Sequence, residues 1–412
     1  MSTTTDFLKV FDKVKQFKID PDKIYIEDSI FRLFSKLSVA ILLIGASLVT
    51  LSSVVGDKIK CILPPKEDVT SNPLNQYCFI MSTYTVPSLF NATVGKDVPH
   101  YGVGPASSEE PKHFHLYYQW VPIALFFQAL SFLIPHLLWK MFDGQKIKTI
   151  CDLNVASNIK FKQRGLVEEK DTDTKLKAIN KAAVYFVGHI SYNKSYAIWF
   201  IVCEVLNLVM VLLNFWFTNF FLSNQFYNYG PRVVNFLNGD PDSELNPMNQ
   251  VFPKVAKCDF HKYGPSGNLI RYDIMCVLAL NIIAEKIYLF LWFWFVILII
   301  IGGLQLIYRL VLVLLPGLRN NILKHKVAKK YQHSMVEVLE QTGYAEWFLL
   351  KLLSVNIDTW KFGELCEHIK TVLYERTPNG RIASVSPAPS YKKSVNGSDD
   401  DEPFTTKPLI NS

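Results

Sequence analysis

Four long apolar runs divide the chain into polar segments. The runs lie near residues 31–55, 115–139, 196–222 and 277–315. About 20 helical residues cross the ~30 Å hydrocarbon layer of a bilayer, and backbone polar groups inside lipid must be satisfied within the helix itself. The pattern therefore predicts an all-α membrane protein with four transmembrane helices. The fourth run is longer than a span needs, so we expect it to tilt or to project into water.

A short aromatic sequence marks the start of the second run, Tyr117-Tyr118-Gln119-Trp120-Val121-Pro122. Tyrosine and tryptophan combine an apolar ring with a polar tip, which suits the membrane–water interface. Proline is tolerated in the first turn of a helix, where its missing N–H is not needed. We therefore expect Tyr117, Tyr118, Trp120 and Pro122 to anchor this span at the interface.

The basic residues predict which side each polar segment occupies. Twenty-nine lysines and arginines lie in residues 1–30, 140–195 and 316–412, and ten lie in 56–114 and 223–276. Because positive charge is retained on the cytoplasmic side, both termini are predicted to be cytoplasmic and the other two segments extracellular. The net charge of +7 is then explained by the basic residues of the cytoplasmic segments. Nucleic acid is therefore not expected as a partner.

Composition supports a membrane protein without a cleaved leader. Half of the residues are hydrophobic and 19% are charged, against about 25% charged in soluble proteins. Residues 1–30 contain five lysines and no early apolar core, so the first run is expected to act as an uncleaved signal-anchor. At the carboxyl-terminal end, residues 316–376 are predicted to form a helical region and residues 377–412 a disordered tail.

Two amphipathic patterns near the amino terminus each have two open interpretations. Apolar residues from Phe7 to Phe17 recur at helical spacing with lysines opposite, which predicts a helix that lies on the headgroups or folds into a pore. In the first span, Ser38, Gly45 and Ser52 recur every seventh residue. Such a small-residue face is typical of close helix packing, but it could equally line a pore.

The cysteines predict disulfides outside the cell. Cys61 and Cys78 lie in the first predicted outer loop, and Cys258 and Cys276 lie in the second. Neither pair has the close spacing of a zinc site, and an oxidising compartment favours disulfides. The spacing leaves all three possible connectivities open. The other three cysteines are expected to be thiols: Cys151, Cys203 and Cys366.

Polar residues elsewhere do not form a catalytic constellation. Intramembrane polar groups are functional candidates, and these are Glu204, Asn207, Asn281, Glu285 and Lys286. Their positions near span ends favour interfacial contacts over a transport path. His113 and His115 lie in a polar loop, so no metal, cofactor or enzymatic activity is expected. Asn91-Ala92-Thr93 is a glycosylation sequon on the predicted outer side.

The order of these features resembles the innexins, the invertebrate gap-junction family of the pannexin/innexin superfamily. The likeness covers roughly residues 24 to 370, and Pro122 and Asn246 depart from the usual family residues. It is carried by strings that include Tyr117-Tyr118-Gln119-Trp120-Val121, Ser82-Thr83-Tyr84-Thr85-Val86-Pro87, Cys203-Glu204, Asn246-Pro247-Met248, Glu285-Lys286-Ile287-Tyr288 and Trp347-Phe348-Leu349-Leu350.

The resemblance implies a channel subunit of the plasma membrane. It implies about eight subunits around a pore, docking of the outer loops with a hemichannel on an adjacent cell, and passive passage of ions and small metabolites. It pairs Cys61 with Cys276 and Cys78 with Cys258. It also implies that two parts of the chain line the pore. These are the amino-terminal arm, with Thr3, Thr4, Asp6 and Phe7, and the face of the first span with Ser38, Gly45 and Ser52. The alternatives are a four-span transporter and a non-conducting adhesion or scaffold protein.

Overall fold

The computed structural model describes residues 24–62, 71–105, 110–155, 169–239 and 246–376. The helices, in chain order, are α1 (Ser29–Val55), α2 (Ser71–Met81), α3 (Val121–Asp143), α4 (Lys146–Val155), α5 (Glu169–Gly188), α6 (Ile190–Phe221), α7 (Tyr229–Leu237), α8 (Pro247–Val251), α9 (Ala279–Leu314), α10 (Pro316–Lys324), α11 (Gln332–Gln341), α12 (Tyr344–Asn356) and α13 (Thr359–Arg376). The strands are β1 (Lys60–Cys61), β2 (Thr83–Thr85), β3 (His113–His115), β4 (Val255–Tyr263) and β5 (Leu269–Val277).

Four of these helices, α1, α3, α6 and α9, are long and apolar enough to cross a membrane. The predicted four-span, mainly helical architecture is confirmed. The arm with Thr3, Thr4, Asp6 and Phe7, and the tail 377–412, lie outside the described residues. The second span begins at Val121 rather than near residue 115, because His113–His115 form a strand and Tyr117–Gln119 a 3-10 turn.

The four spans pack side by side around a common apolar core. α3 packs against α1 and α6, and α9 packs against α6 and α1. Among the glycines within the spans, space is tightest at Gly302 of α9, where a Cβ atom would lie 3.0 Å from Leu208 and 3.1 Å from Phe34. A small residue is therefore needed where three spans meet. The largest buried side chains of this core include Phe132, Tyr229, Phe226, Tyr288 and Phe295.

One end of the bundle carries a small domain that we call the disulfide lobe, made of β1–β5 and α2. Its five strands form an antiparallel sheet in the order β1-β5-β4-β2-β3. The hairpin of β4 and β5 forms the centre of the sheet, and strands from the segment between the first two spans pair on both sides of it. This sheet was not predicted from the sequence, whose pattern indicated helices alone.

The opposite end carries a helical domain made of α4, α5 and α10–α13. Its core is continuous with the base of the spans, because α12 packs directly against α6. Phe348 of α12 stacks near Phe200 of α6, with ring centroids 4.7 Å apart. The segment 344–374, which the helical spacing predicted to fold, supplies α12 and most of α13.

A buried ionic cluster joins this domain to the spans. The Arg309 side chain is 2% exposed, and its Nε and Nη2 atoms donate to the two carboxylate oxygens of Glu204 at 2.8 Å each. Nη2 also donates to Asp28, which precedes the first span. Lys351 of α12 donates to the same Asp28 oxygen at 3.1 Å. Four formal charges thus neutralise one another where four parts of the chain meet.

Replacing Arg309 with methionine is expected to destabilise the protein strongly. The apolar substitute leaves Glu204 and Asp28 buried without their main counter-charge, and such a change costs about 3–5 kcal/mol. Thermal unfolding of the purified protein, followed by loss of the monodisperse peak in size-exclusion chromatography, measures the effect. Arg232→Met, at an exposed position of α7, is the control and should melt like wild type. Equal melting of Arg309→Met and wild type would contradict the role given to the cluster.

Candidate functional site

Two disulfides hold the disulfide lobe together. Cys61 of β1 is bonded to Cys276 of β5, and Cys78 of α2 is bonded to Cys258 of β4. These are the pairs that the resemblance implies. All four cysteines are buried, and each bond connects the segment that follows the first span with the segment that precedes the fourth. The two loops therefore form one rigid unit.

Salt bridges fix the long first loop onto the hairpin. Asp259 and Asp273 face each other across β4 and β5, and each is matched by a lysine. Lys112 donates to Asp259 at 2.7 Å, and Lys257 lies 2.6 Å from Asp273 and donates to the Gly104 carbonyl at 2.7 Å. Burial raises the pKa of Asp259, but hydrogen bonds from Lys112 and Tyr84 outweigh it and the net pKa is lowered. The carboxylate stays charged and keeps the loop attached.

The far end of the hairpin is exposed and partly apolar. The turn between β4 and β5 includes Gly267, whose φ of +82° favours glycine. Tyr263 before the turn is 72% exposed, and Leu269 and Ile270 after it are also exposed. Large apolar side chains at the tip of a rigid hairpin are suited to contact another protein surface.

The aromatic sequence before the second span joins the lobe to the bundle. The Tyr117 hydroxyl donates to the Val251 carbonyl at 3.1 Å, and the Tyr118 hydroxyl donates to the Phe79 carbonyl at 3.2 Å. Trp120 is 56% exposed. Tyr117 and Tyr118 thus pack inside the joint, whereas Trp120 faces outward; their role as an interfacial anchor stays a prediction. Pro122 lies in the first turn of α3.

The small-residue face of the first span is occupied by other helices. Ser38 is 0% exposed and accepts a hydrogen bond from Trp294 Nε1 at 3.1 Å. A Cβ atom on Gly45 would lie 3.4 Å from Ile287 and 3.7 Å from Leu125. Ser52 is half-buried. Because enclosed side chains cannot contact pore water, Ser38 and Gly45 are corrected from pore-lining candidates to packing residues.

A different stripe of the first span is exposed, and its composition is distinctive. It contains Ala40, Ile44, Ser47, Thr50 and Leu51. Over the described central turns of the other three spans, the exposed positions carry large apolar side chains, which include Phe127, Leu130, Val205, Leu212, Phe293 and Ile297. Hydroxyl and small side chains on an outer face thus distinguish α1.

Most polar side chains predicted within the spans make structural contacts. Glu285 lies 2.8 Å from Lys286 and 3.4 Å from Lys254. Asn281 donates to the Pro253 carbonyl at 2.8 Å. Asn207 is buried in α6, and Glu204 belongs to the Arg309 cluster. These contacts tie span ends to adjoining segments.

The histidines and the sequon lie in the disulfide lobe. His115 is hydrogen-bonded to Thr85 at 2.8 Å. Burial, with a smaller effect from His113, lowers the pKa of His115 to about 3, so the ring is neutral. Among the described residues, the set close enough to share a metal ion is Cys61, Cys78 and Cys276, whose sulfurs are in disulfides. Asn91 is exposed at the end of a 3-10 helix, Pro87–Asn91.

Comparison with known proteins agrees with this architecture. The Innexin family model matches residues 27–373. Innexin inx2 of Drosophila melanogaster is 39% identical over 358 residues, which cover 86% of this chain and 93% of that protein. Innexin inx2 of Schistocerca americana is 39% identical over 359 residues, with 86% and 95% covered. Innexin inx3 of Drosophila melanogaster is 35% identical over 359 residues, with 87% and 88% covered. The chain therefore belongs to the innexin family, the multi-pass membrane subunits of gap-junction channels.

Proposed function

We propose that about eight copies of this chain surround a pore and that the assembly docks with a second one on an adjacent cell. Ions and small metabolites pass through it passively, and an unpaired hemichannel can also conduct. The chain acts with its own copies or with other innexins, and it has no enzymatic activity. The observation that carries this proposal is the disulfide lobe, in which two loops form one rigid body with an exposed tip.

The proposed orientation places the disulfide lobe outside the cell. Disulfides persist in oxidising compartments, and the segments that form the lobe carry few basic residues. The helical domain, with most of the basic residues, then lies in the cytoplasm, as the positive-inside rule expects.

A transporter is less well supported by the geometry. Many transporters have broken helices at the membrane midplane, where the half-helix ends bind the substrate. Here the described central turns of α3, α6 and α9 are continuous helix, and the buried charges of Glu204 and Glu285 have basic partners. A pore between subunits therefore fits better than a site within one subunit.

The hairpin tip is proposed as the surface that docks between cells. Leu269→Asp should abolish junctional conductance between paired cells, because a carboxylate at an apolar contact must be desolvated without a partner. Hemichannel current in single cells should remain, since the residue is exposed and far from the lobe core. Val94→Asp, at a similarly exposed apolar position in the first loop, is the control. Unchanged coupling in Leu269→Asp pairs, or equal loss in the control, would refute the tip as the docking surface.

The exposed stripe of α1 is proposed to line the pore, with the arm that precedes it folded into the pore entrance. A membrane-impermeant methanethiosulfonate reagent should reduce the unitary current of Ser47→Cys channels, because the attached group occupies the conduction path. Deletion of residues 2–18 should change unitary conductance without preventing assembly.

Ser38→Cys is the control for the reagent experiment, because Trp294 and neighbouring helices enclose position 38. Its current should not respond to the reagent. Modification of Ser38→Cys with no response from Ser47→Cys would reverse the assignment of the two faces. Unchanged conductance after deletion would place the arm on the membrane surface instead.

Asn91 is proposed to carry a glycan that hinders docking and favours unpaired hemichannels. Intact-mass analysis of protein from eukaryotic cells should show a mass excess that a peptide N-glycosidase removes, and Asn91→Gln should eliminate it. The same variant should increase junctional coupling. Asn396→Gln, in a sequon that the proposed orientation places in the cytoplasm, should leave the mass excess intact. An unmodified Asn91 in cell-derived protein would disprove this proposal.

A further inference from the structure

A cavity of about 620 Å³ lies at the carboxyl-terminal end of the second span. Its walls have two different characters. Ile24 and Ile26, from the extended segment before the first span, form an apolar wall. Lys140, at the end of α3, and Lys148, in α4, form a cationic wall, and both lysines are exposed.

The surrounding side chains indicate that the cavity lies at the border of the hydrocarbon. Trp139 precedes Lys140, and its indole N–H donates to the Ile26 carbonyl at 2.9 Å. Leu137 and Met141 flank Lys140 on the same helical face, and Met141 is 77% exposed. That face continues the exposed apolar positions of α3. The lysines therefore lie at the inner end of a stripe with the character of a lipid-facing surface.

The charge of the cavity favours an anionic ligand. Asp143 contributes a carboxylate to the cavity lining. This carboxylate is buried and accepts a hydrogen bond from the Tyr196 hydroxyl at 2.6 Å, so it has a partner within the protein. The two exposed lysines are thus the groups most accessible to a ligand. A second groove between α1 and α3, lined by residues such as Leu43, Thr50 and Phe126, has no charged lining residue among those described. It therefore has no cationic group that could bind a phosphate.

We propose that this cavity binds the headgroup of an anionic glycerophospholipid of the cytoplasmic leaflet. Lys140 and Lys148 contact the phosphate, Ile24 and Ile26 contact the glycerol and upper acyl region, and the acyl chains follow the exposed face of α3. A lipid fits better than a free phosphate compound because one wall of the cavity is apolar and the cavity adjoins the exposed apolar stripe of α3. The site is additional to conduction and depends only on the proposed orientation.

Native mass spectrometry of the full-length protein in detergent tests this site. The probes are dioleoylphosphatidylserine, dioleoylphosphatidylcholine and the soluble headgroup glycerophosphoserine. Wild type should bind phosphatidylserine in preference to phosphatidylcholine. Lys140→Gln combined with Lys148→Gln should weaken phosphatidylserine binding about 30-fold, because each basic residue near an anionic membrane surface contributes about 1 kcal/mol.

The control removes two charges from the same side of the membrane. Lys326→Gln combined with Lys329→Gln changes exposed lysines of the helical domain and should retain wild-type binding. Equal weakening by both double variants would reduce the effect to general surface charge and overturn the site. Glycerophosphoserine binding as tight as phosphatidylserine would overturn the lipid as the ligand. If deletion of residues 2–18 were needed before phosphatidylserine could bind, the arm would be the occupant and the proposal would be wrong.

These outcomes do not depend on whether the channel conducts. Binding is measured on purified protein, so failure of the lipid site leaves the channel function standing. Conversely, loss of conduction in an unrelated variant leaves the lipid measurement unchanged.

Discussion

The buried Arg309 guanidinium is the interaction on which the arrangement of the whole subunit depends. It contacts Glu204 on α6 and Asp28 at the start of α1, and Lys351 of α12 shares Asp28 with it. The Phe200 and Phe348 rings lie 5.2 and 5.3 Å from it, so the charge is enclosed by aromatic faces as well as carboxylates. Loss of Arg309 would leave the buried Glu204 carboxylate without a basic partner. The spans and the helical domain are therefore held in one relative position.

This constraint also fixes the point from which the amino-terminal arm departs. The Asn356 side chain of the helical domain accepts from the Tyr25 N–H at 2.6 Å and donates to the Tyr25 carbonyl at 2.8 Å. Burial raises the pKa of Asp28, but Arg309 and Lys351 outweigh it and lower the net pKa, so the carboxylate stays charged. Residues 25 and 28 are therefore held directly to the helical domain.

The two ends of the subunit are stabilised by different interactions. The disulfide lobe is closed by two covalent bonds, as its proposed oxidising environment allows. The helical domain uses ion pairs and a continuous apolar core. Its Cys151 thiol is buried, and burial raises the pKa of that thiol to about 12. The thiol is therefore protonated and unreactive, as expected for a structural cysteine.

Sequence patterns predicted the parts of this fold that have a strong local signal. The apolar runs predicted the four spans, and helical spacing predicted that the segment 344–374 folds into helices. Three strands of the sheet, β1, β2 and β3, have two or three residues each, too few to show alternation, and they pair with distant residues. The hairpin of β4 and β5, with nine residues in each strand and Gly267 in its turn, had a local signal that the prediction did not use. Ser38 and Gly45 have the spacing expected for both packing and a pore, and the contacts with Trp294 and Ile287 were needed to separate the two. Arg309 was not singled out, because its partners Glu204 and Asp28 are far from it in sequence.

The central claim is that this chain forms a passive, wide pore. The most direct measurement is electrical recording from purified protein reconstituted into liposomes, together with release of a trapped small fluorescent dye. A passive pore should give discrete unitary currents and should release dye without an ion gradient. Substrate flux without unitary currents would indicate a transporter, and the absence of both current and dye release would indicate a non-conducting adhesion protein; either result would exclude a passive pore.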